Sequence, residues 1–474
     1  MVPANVGAVF EQALATDPGA EALVTRSGRW TYEELDDRCA RAAGALRSLG
    51  VGAGDVVAAS LPNDLDVVLS FHAAMRVGAV WVGVNRNLAP PEKEYILGDS
   101  GASFVLGDDL DEWHAACDAA DPVHGRDVDP FAPAGLAYTS GTTGRPKAAV
   151  HSQHNLLLPG AALVASRGYG PALRKGDCFP LTILNLQVLT TLLVAQAGGT
   201  SILMDRIDAE GVAEWIRRER VTTWNGPPAL LHSLVEHEAV SPDDLASLDE
   251  VWTGGGDCPE SLRERFQARF GQQVHATYGL SEAPTVVAID PRDGEHRPGA
   301  SGLPLPHLDV RIVDDEICVG PVADGPWAGA YRTMLEYLGK PEATAETLAG
   351  GILHTGDVGD LDEDGYLTVR DRKSLVVIRG GANVYPAEVE RVLSTAPGVA
   401  ACAVLGIPDE RLGERVVAVV ERRPGEEPDL DAVREHCLAE LAKYKVPERF
   451  VVVDQLARNA MGKIERGRLR DLFA

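Results

Sequence analysis

Apolar and polar positions recur along this chain with two periods, and the period changes where caps and turns occur. Near the start, Thr31 followed by Glu34 makes a capping-box pattern, after which Leu35, Cys39, Ala42 and Leu46 share one helical face up to Gly50. The apolar run Val56 to Leu61, the helical stretch Leu65 to Val77 and the second run Ala79 to Val84 predict strand, helix and strand. That order is characteristic of a parallel sheet covered by helices. The alternation resumes with a strand over Ser201 to Met204 and a helix over Val212 to Arg220, so a second sheet layer is expected.

From Gly299 to Gly325 the pattern shortens to runs such as Asp309 to Val313 and Glu316 to Val319, separated by Pro, Gly and Asp. A small, mostly β subdomain is expected there. A charged turn at Asp371 to Ser374 then precedes a segment with its own pattern. Pro386 opens a helix through Leu393, Val399 to Leu405 and Val416 to Val420 read as strands, and Leu430 to Leu441 reads as a helix. The predicted fold class is α/β. A large N-terminal domain, 1–371, holds two helix-covered sheet subdomains and the small β subdomain, and a smaller α+β domain, 372–474, follows a hinge at about 372–374.

Charge narrows the candidate functions. The 474 residues include 70 acidic and 44 basic side chains, and the net charge of −26 repels nucleic acid and anionic membrane surfaces. An anionic ligand is repelled as well, so a phosphate site must rely on local amides, a few cations and a metal ion. The seven cysteines are scattered and never spaced as CxxC, which argues against a disulfide framework or a zinc site. Neither a signal-length apolar run nor a membrane-spanning stretch is evident, so a cytoplasmic location without membrane insertion is expected.

The chemistry concentrates in Tyr138-Thr139-Ser140-Gly141-Thr142-Thr143-Gly144-Arg145-Pro146-Lys147. Glycines let backbone amides approach an anion, hydroxyls donate to it, and Lys147 adds charge; a surface turn is the other reading of this composition. The string does not fit a Walker loop. It closely resembles the phosphate-loop signature of the adenylate-forming superfamily of acyl-CoA synthetases, luciferases and nonribosomal-peptide adenylation domains. The resemblance continues in order through Thr253-Gly254-Gly255-Gly256-Asp257, Tyr278-Gly279-Leu280-Ser281-Glu282, His354-Thr355-Gly356-Asp357, Asp371-Arg372, Arg379-Gly380-Gly381 and Asn459 to Ile464.

The resemblance implies an enzyme that activates a carboxylic acid with ATP and Mg2+, releases pyrophosphate and passes the acyl group from acyl-AMP to coenzyme A. It implies ATP contacts from Thr139, Ser140, Gly141, Thr142, Thr143, Gly144 and Lys147. Gly254, Gly255, Gly256 and Tyr278 would flank adenine, where a flat base needs close backbone approach and a π face. Ser281 is assigned to phosphate and Glu282 to the metal, for which a hard carboxylate oxygen is the right ligand type. Asp357 is assigned to ribose and Arg372 to the nucleotide. The last domain is implied to be mobile: Lys463 serves the adenylation step, and Gly380 and Gly381 border the pantetheine path of coenzyme A. Asn185, Gln187, Trp224 and Asn225 lie in segments that resemble acyl-pocket walls.

Some positions depart from the pattern. Relatives carry a Pro-Leu-Phe-His type segment where this chain reads Pro180-Leu181-Thr182-Ile183-Leu184-Asn185-Leu186-Gln187, and Ser374 stands where Asp or Lys is usual. The first departure bears on which acid is taken. An amino-acid adenylation enzyme would supply an Asp for the substrate ammonium between Leu181 and Gln187, and none occurs there. The chain runs eleven residues past Lys463 without a fused carrier domain, so coenzyme A is expected as acceptor. Loading of an external carrier protein and a silent nucleotide-binding scaffold are the alternative functions.

Overall fold

The computed structural model describes residues 2–139, 145–254, 258–458 and 464–473. The chain divides into two compact units, one of residues 1–311, 318–355 and 363–367, the other of 312–317, 356–362 and 368–474. It passes between them along the short strands Leu308–Val313, Glu316–Pro321, Leu353–Leu361 and Leu367–Arg372.

The first unit carries two large sheets. The nine-stranded sheet runs in the order Leu303–Pro304, Thr285–Ile289, Val274–Leu280, Glu250–Thr253, Thr223–Asn225, Arg174–Asp177, Thr200–Leu203, Glu21–Val24, Arg29–Thr31. Its central neighbours are parallel, and the crossover helices Ala209–Glu219, Pro228–Glu236 and Glu260–Phe270 bury Val212, Ile216, Leu231, Leu234 and Phe266 against it. The six-stranded sheet has the order Glu336–Tyr337, Lys147–Ser152, Pro133–Thr139, Val80–Gly83, Val56–Ala59, Phe104–Leu106.

Local signals account for the helices over these sheets. Thr31 Oγ1 accepts from the amide of Glu34 at 3.3 Å while the Glu34 carboxylate accepts from the amide of Thr31 at 2.9 Å, and the capped helix runs Tyr32–Ser48. The helix Leu65–Val77 starts at Asp64, whose carboxylate caps the amide of Leu65, and stops at Gly78 with φ 74°. The strands and helices predicted from periodicity in this unit are all present, displaced by a residue or a few at their ends.

In the second unit, Ala382–Val384, Val377–Arg379, Gly413–Arg422 and Val399–Asp409 pair in that order, and Arg449–Val453 adds a parallel strand on Gly413–Arg422. The helices Pro386–Leu393 and Leu430–Glu440 cover one face of this sheet through Val389, Leu393, Val433 and Cys437. All seven cysteines are free thiols. No helix among the described residues is long and apolar enough to cross a membrane.

Candidate functional site

Strands Pro133–Thr139 and Lys147–Ser152 are antiparallel and end on the pair Thr139 and Lys147. Thr139 Oγ1 donates to the carbonyl of Lys147 at 3.4 Å. Ser140, Gly141, Thr142, Thr143 and Gly144, which join these strands, lie outside the described residues. Because side chains alternate across a strand, Lys147, Ala149 and His151 share one face. That face reaches the Ser281-Glu282 pair twice. The Lys147 ammonium sits 4.9 Å from the ring centroid of Tyr337, whose hydroxyl donates to Glu282 Oε1 at 2.6 Å. Four residues along the strand from Lys147, His151 Nε2 lies 2.7 Å from the carbonyl oxygen of Ser281.

Ser281 and Glu282 occupy the connection between Val274–Leu280 and Thr285–Ile289. The pairing slips between Tyr278 and Gly279, and Thr285 adopts φ 97°, a conformation a β-branched residue takes only when its surroundings impose it. The tie from His151 helps to hold this bend. His151 is wholly buried, and burial lowers its pKa to about 4, so at neutral pH it is uncharged. Donation to a carbonyl then requires the proton on Nε2. We predict that His151→Leu, which keeps the apolar volume but orphans the Ser281 carbonyl, lowers pyrophosphate exchange by roughly tenfold with a melting temperature only slightly reduced. Unchanged exchange would show that the tie is dispensable.

At the segments expected to flank adenine, Thr277 Oγ1 donates to the carbonyl of Thr253 at 2.9 Å, holding the strand that leads into Gly254 to the strand that carries Tyr278. Gly254 has a packing reason to be glycine, because a Cβ there would overlap Thr277 Oγ1. Tyr278 is buried in its strand; Gly255 and Gly256 lie outside the described residues.

The second unit brings Asp357 and Arg372 together. Arg372 Nε lies 2.7 Å from Asp357 Oδ1, with Asp357 buried and Arg372 half-exposed. Glu316 accepts from the amide of Gly356 at 2.8 Å and pairs with Lys373 Nζ at 3.3 Å, bracing the backbone beside Asp357. Asp371, the neighbour of Arg372, accepts from the amide of Ala387 at 2.8 Å, and burial pushes its carboxyl above the ordinary range. Gly380 and Gly381 form the two-residue turn between Val377–Arg379 and Ala382–Val384, with φ of 61° and 86°. Two successive positive φ values define a tight hairpin turn whose twist suits the flanking strands. Lys463 lies outside the described residues. Its flanks are tied down: Arg458 and Ile464 form an antiparallel bridge, and Arg466 forks onto Glu390 with Nη2 to Oε2 at 2.9 Å.

The four expected pocket residues divide into two kinds. Gln187 is wholly buried, its amide donating to the carbonyls of Leu181 at 3.1 Å and Val67 at 3.4 Å, so in this conformation it braces the chain. Trp224 is wholly buried as well, within the core under the crossover helices. Asn185 and Asn225 keep partial exposure. Asn185 lies on a short helix, Leu184–Leu186, that continues as a π-helical turn over Gln187–Leu192, a geometry enriched at functional sites.

Sequence reading missed the group that orients Asn225. Lys175 and Asp177 are fully buried and 3.3 Å apart, Thr190 Oγ1 donates to Asp177 Oδ2 at 2.8 Å, and Lys175 Nζ donates to Asn225 Oδ1. A buried ion pair with its hydrogen bonds made fixes the carboxamide orientation, since only the oxygen of Asn225 can face the ammonium. The pair lies two residues apart on Arg174–Asp177, but Asn225 reaches it from the adjacent strand, a partnership that sequence spacing cannot show.

Known proteins resemble the chain over nearly all of its length. It matches the family described as AMP-binding enzyme over residues 10–325 and that described as AMP-binding enzyme C-terminal domain over residues 388–463. It is 36% identical to a feruloyl-CoA synthase from Amycolatopsis, covering 96% of each chain. A long-chain-fatty-acid–CoA ligase from Mycobacterium tuberculosis is 31% identical, with 99% of each chain covered. Among solved structures, ATP-bound MatB from Rhodopseudomonas palustris superposes with a TM-score of 0.87 at 27% identity, covering 99% of each chain.

Proposed function

The chain belongs to the AMP-binding enzyme family and is an ATP-dependent acid–thiol ligase, and we propose that the face of strand Lys147–Ser152 with the Ser281-Glu282 bend forms its phosphate and metal site. The observation that supports this reading is the convergence of Lys147 and Glu282 on one side chain, Tyr337, whose ring meets the cation and whose hydroxyl meets the carboxylate at the end of the hairpin strand Lys147–Ser152. In the first half-reaction a carboxylate oxygen of the acid attacks the α-phosphorus of ATP, forming acyl-AMP as pyrophosphate leaves. In the second, the thiol sulfur of coenzyme A attacks the acyl carbonyl carbon, AMP leaves with the bonding electrons, and the thiol proton passes to solvent. Coenzyme A, ATP and the acid are the partners.

Lys147 and Ser281 would contact phosphate oxygens, and Asp357 with Arg372 would contact the ribose and nucleotide. Catalysis then rests on positioning and on fixed charge, not on a covalent enzyme intermediate. Mg2+ fits the donor chemistry of Glu282, a partly exposed carboxylate, and when bound neutralises negative charge on the phosphates. The free thiols of the chain favour a reducing compartment such as the cytoplasm.

The acid is open to direct test. Pyrophosphate exchange with Mg2+ across a panel of acids, followed by acyl-CoA formation, distinguishes an aromatic acid such as ferulate from a long-chain fatty acid, the acids for which the two relatives are named. A place in fatty acid metabolism follows only from the second outcome. Absence of exchange with every acid would overturn the ligase reading.

For the second half-reaction, Gly381 is the informative position. A Cβ added there would meet no atom within 4 Å, yet φ of 86° strains most side chains. Asn tolerates positive φ far better than Leu. Gly381→Asn is therefore expected to fold normally, retain pyrophosphate exchange and lower coenzyme A-dependent turnover roughly tenfold by crowding the pantetheine path. Gly381→Leu should impair both half-reactions through strain. Unchanged acyl-CoA production by a folded Gly381→Asn enzyme would remove Gly381 from the path.

A further inference from the structure

We propose that Tyr337 is a positioning residue for the phosphate and metal site, holding the Glu282 carboxylate with its hydroxyl and the Lys147 ammonium with its ring. The inference rests on the functional reading above and adds a residue that neither the sequence motifs nor the comparisons assign.

The placement follows from the sheet. Tyr337 lies on the edge strand Glu336–Tyr337 and pairs with Ala149 of Lys147–Ser152. Lys147, two residues before Ala149, is its diagonal neighbour on the same face. Ala149 has only a methyl group, which leaves room for the tyrosine ring to lean towards Lys147. The ring is 6% exposed, and its centroid is 4.9 Å from the ammonium. On the far side, the hydroxyl donates to Glu282 Oε1 at 2.6 Å, within the range of a charge-assisted hydrogen bond.

The backbone under the ring is fixed. The amide of Tyr337 donates to Thr344 Oγ1 at 2.9 Å, the amide of Lys340 donates to the carbonyl of Tyr337 at 2.9 Å, and the amide of Leu338 donates to the carbonyl of Ala148 at 2.9 Å. Pro341 then opens the helix Pro341–Thr347. A tyrosine held in this way joins the cation that meets phosphate to the carboxylate that meets the metal, although the two are 135 residues apart in sequence. Phe at this position would keep the ring beneath Lys147 and release Glu282. Leu would remove both contacts.

The test is equilibrium binding of a non-hydrolysable ATP analogue, measured by calorimetry with Mg2+ and again with the metal chelated, on the full chain and on Tyr337→Phe and Tyr337→Leu. Tyr337→Phe is expected to bind the Mg2+ complex roughly tenfold more weakly and the metal-free nucleotide as the unsubstituted protein does. Tyr337→Leu should weaken both, and melting curves identify any loss of fold. If Tyr337→Phe binds the Mg2+ complex equally well or more tightly, the positioning role is overturned, and the tighter case shows that the hydroxyl competes with the metal. If the unsubstituted chain binds neither form, the ligase reading itself fails, a result distinct from failure of this inference.

Discussion

Lys463→Ala is expected to lower acyl-AMP formation by about a hundredfold to a thousandfold, the range observed when a group that stabilises developing charge is removed. Thioester formation from supplied acyl-AMP should stay within a few-fold, because the resemblance assigns Lys463 to the first half-reaction alone. The substitution should leave the fold intact. The bridge between Arg458 and Ile464 and the fork of Arg466 onto Glu390 hold the chain on both sides of position 463. Separate assays of the two half-reactions decide the matter, and equal losses in both would contradict a role confined to adenylation.

Acid should unfold the protein earlier than its carboxylates alone would dictate. His72, His151, His275 and His307 are buried, and burial lowers their pKa values to about 3, 4, 4 and 3. His72 illustrates the cause: neither ring nitrogen has a hydrogen-bond partner, Phe10 packs at 4.9 Å, and the Arg76 cation adds a further penalty to a second positive charge.

The folded state keeps these rings neutral, whereas the unfolded chain binds their protons near pH 6.5. Their contribution to stability is therefore complete above that pH and is lost as the pH falls to about 4 for His151 and His275 and to about 3 for His72 and His307. Each histidine contributes a limiting slope of about 1.4 kcal/mol per pH unit. Urea midpoints measured from pH 7.5 to pH 5 should fall steeply, with proton uptake on unfolding approaching four as the lower pH is reached. His72→Phe should remove about one proton from that uptake. A flat midpoint over this interval would show that the buried rings do not remain neutral.

How much of this could be read without a structure depended on the distance over which each signal acts. The helix Leu65–Val77 was legible because its period and its flanking Asp64 and Gly78 are local. Pro386 announced the helix Pro386–Leu393 for the same reason, a ring with fixed φ and no N–H at the first helical turn. Other boundaries moved where pairing, not composition, decided them. The strand expected over Val399 to Leu405 extends to Asp409, because Gly413–Arg422 supplies a partner for every added residue.

The candidate site divides along the same line. Candidates that stand as consecutive letters, such as Tyr278 to Glu282 and the stretch from Thr139 to Lys147, can be proposed from the sequence, since a phosphate-binding turn would draw its amides and hydroxyls from neighbouring positions. Tyr337 and His151 could not. Their partners Glu282 and Ser281 are 55 and 130 residues away, and only strand pairing brings them within hydrogen-bonding distance. The buried state of Gln187 and Trp224 was likewise decided by packing, which places one among backbone carbonyls and the other beneath helices. By itself the sequence determined the element types, their order and the residue types available for adenylate chemistry, because periodicity and motif are properties of neighbouring residues. Tertiary structure alone decided which of those residues meet and which are walled off, because sheet register and core packing join positions that the chain holds far apart.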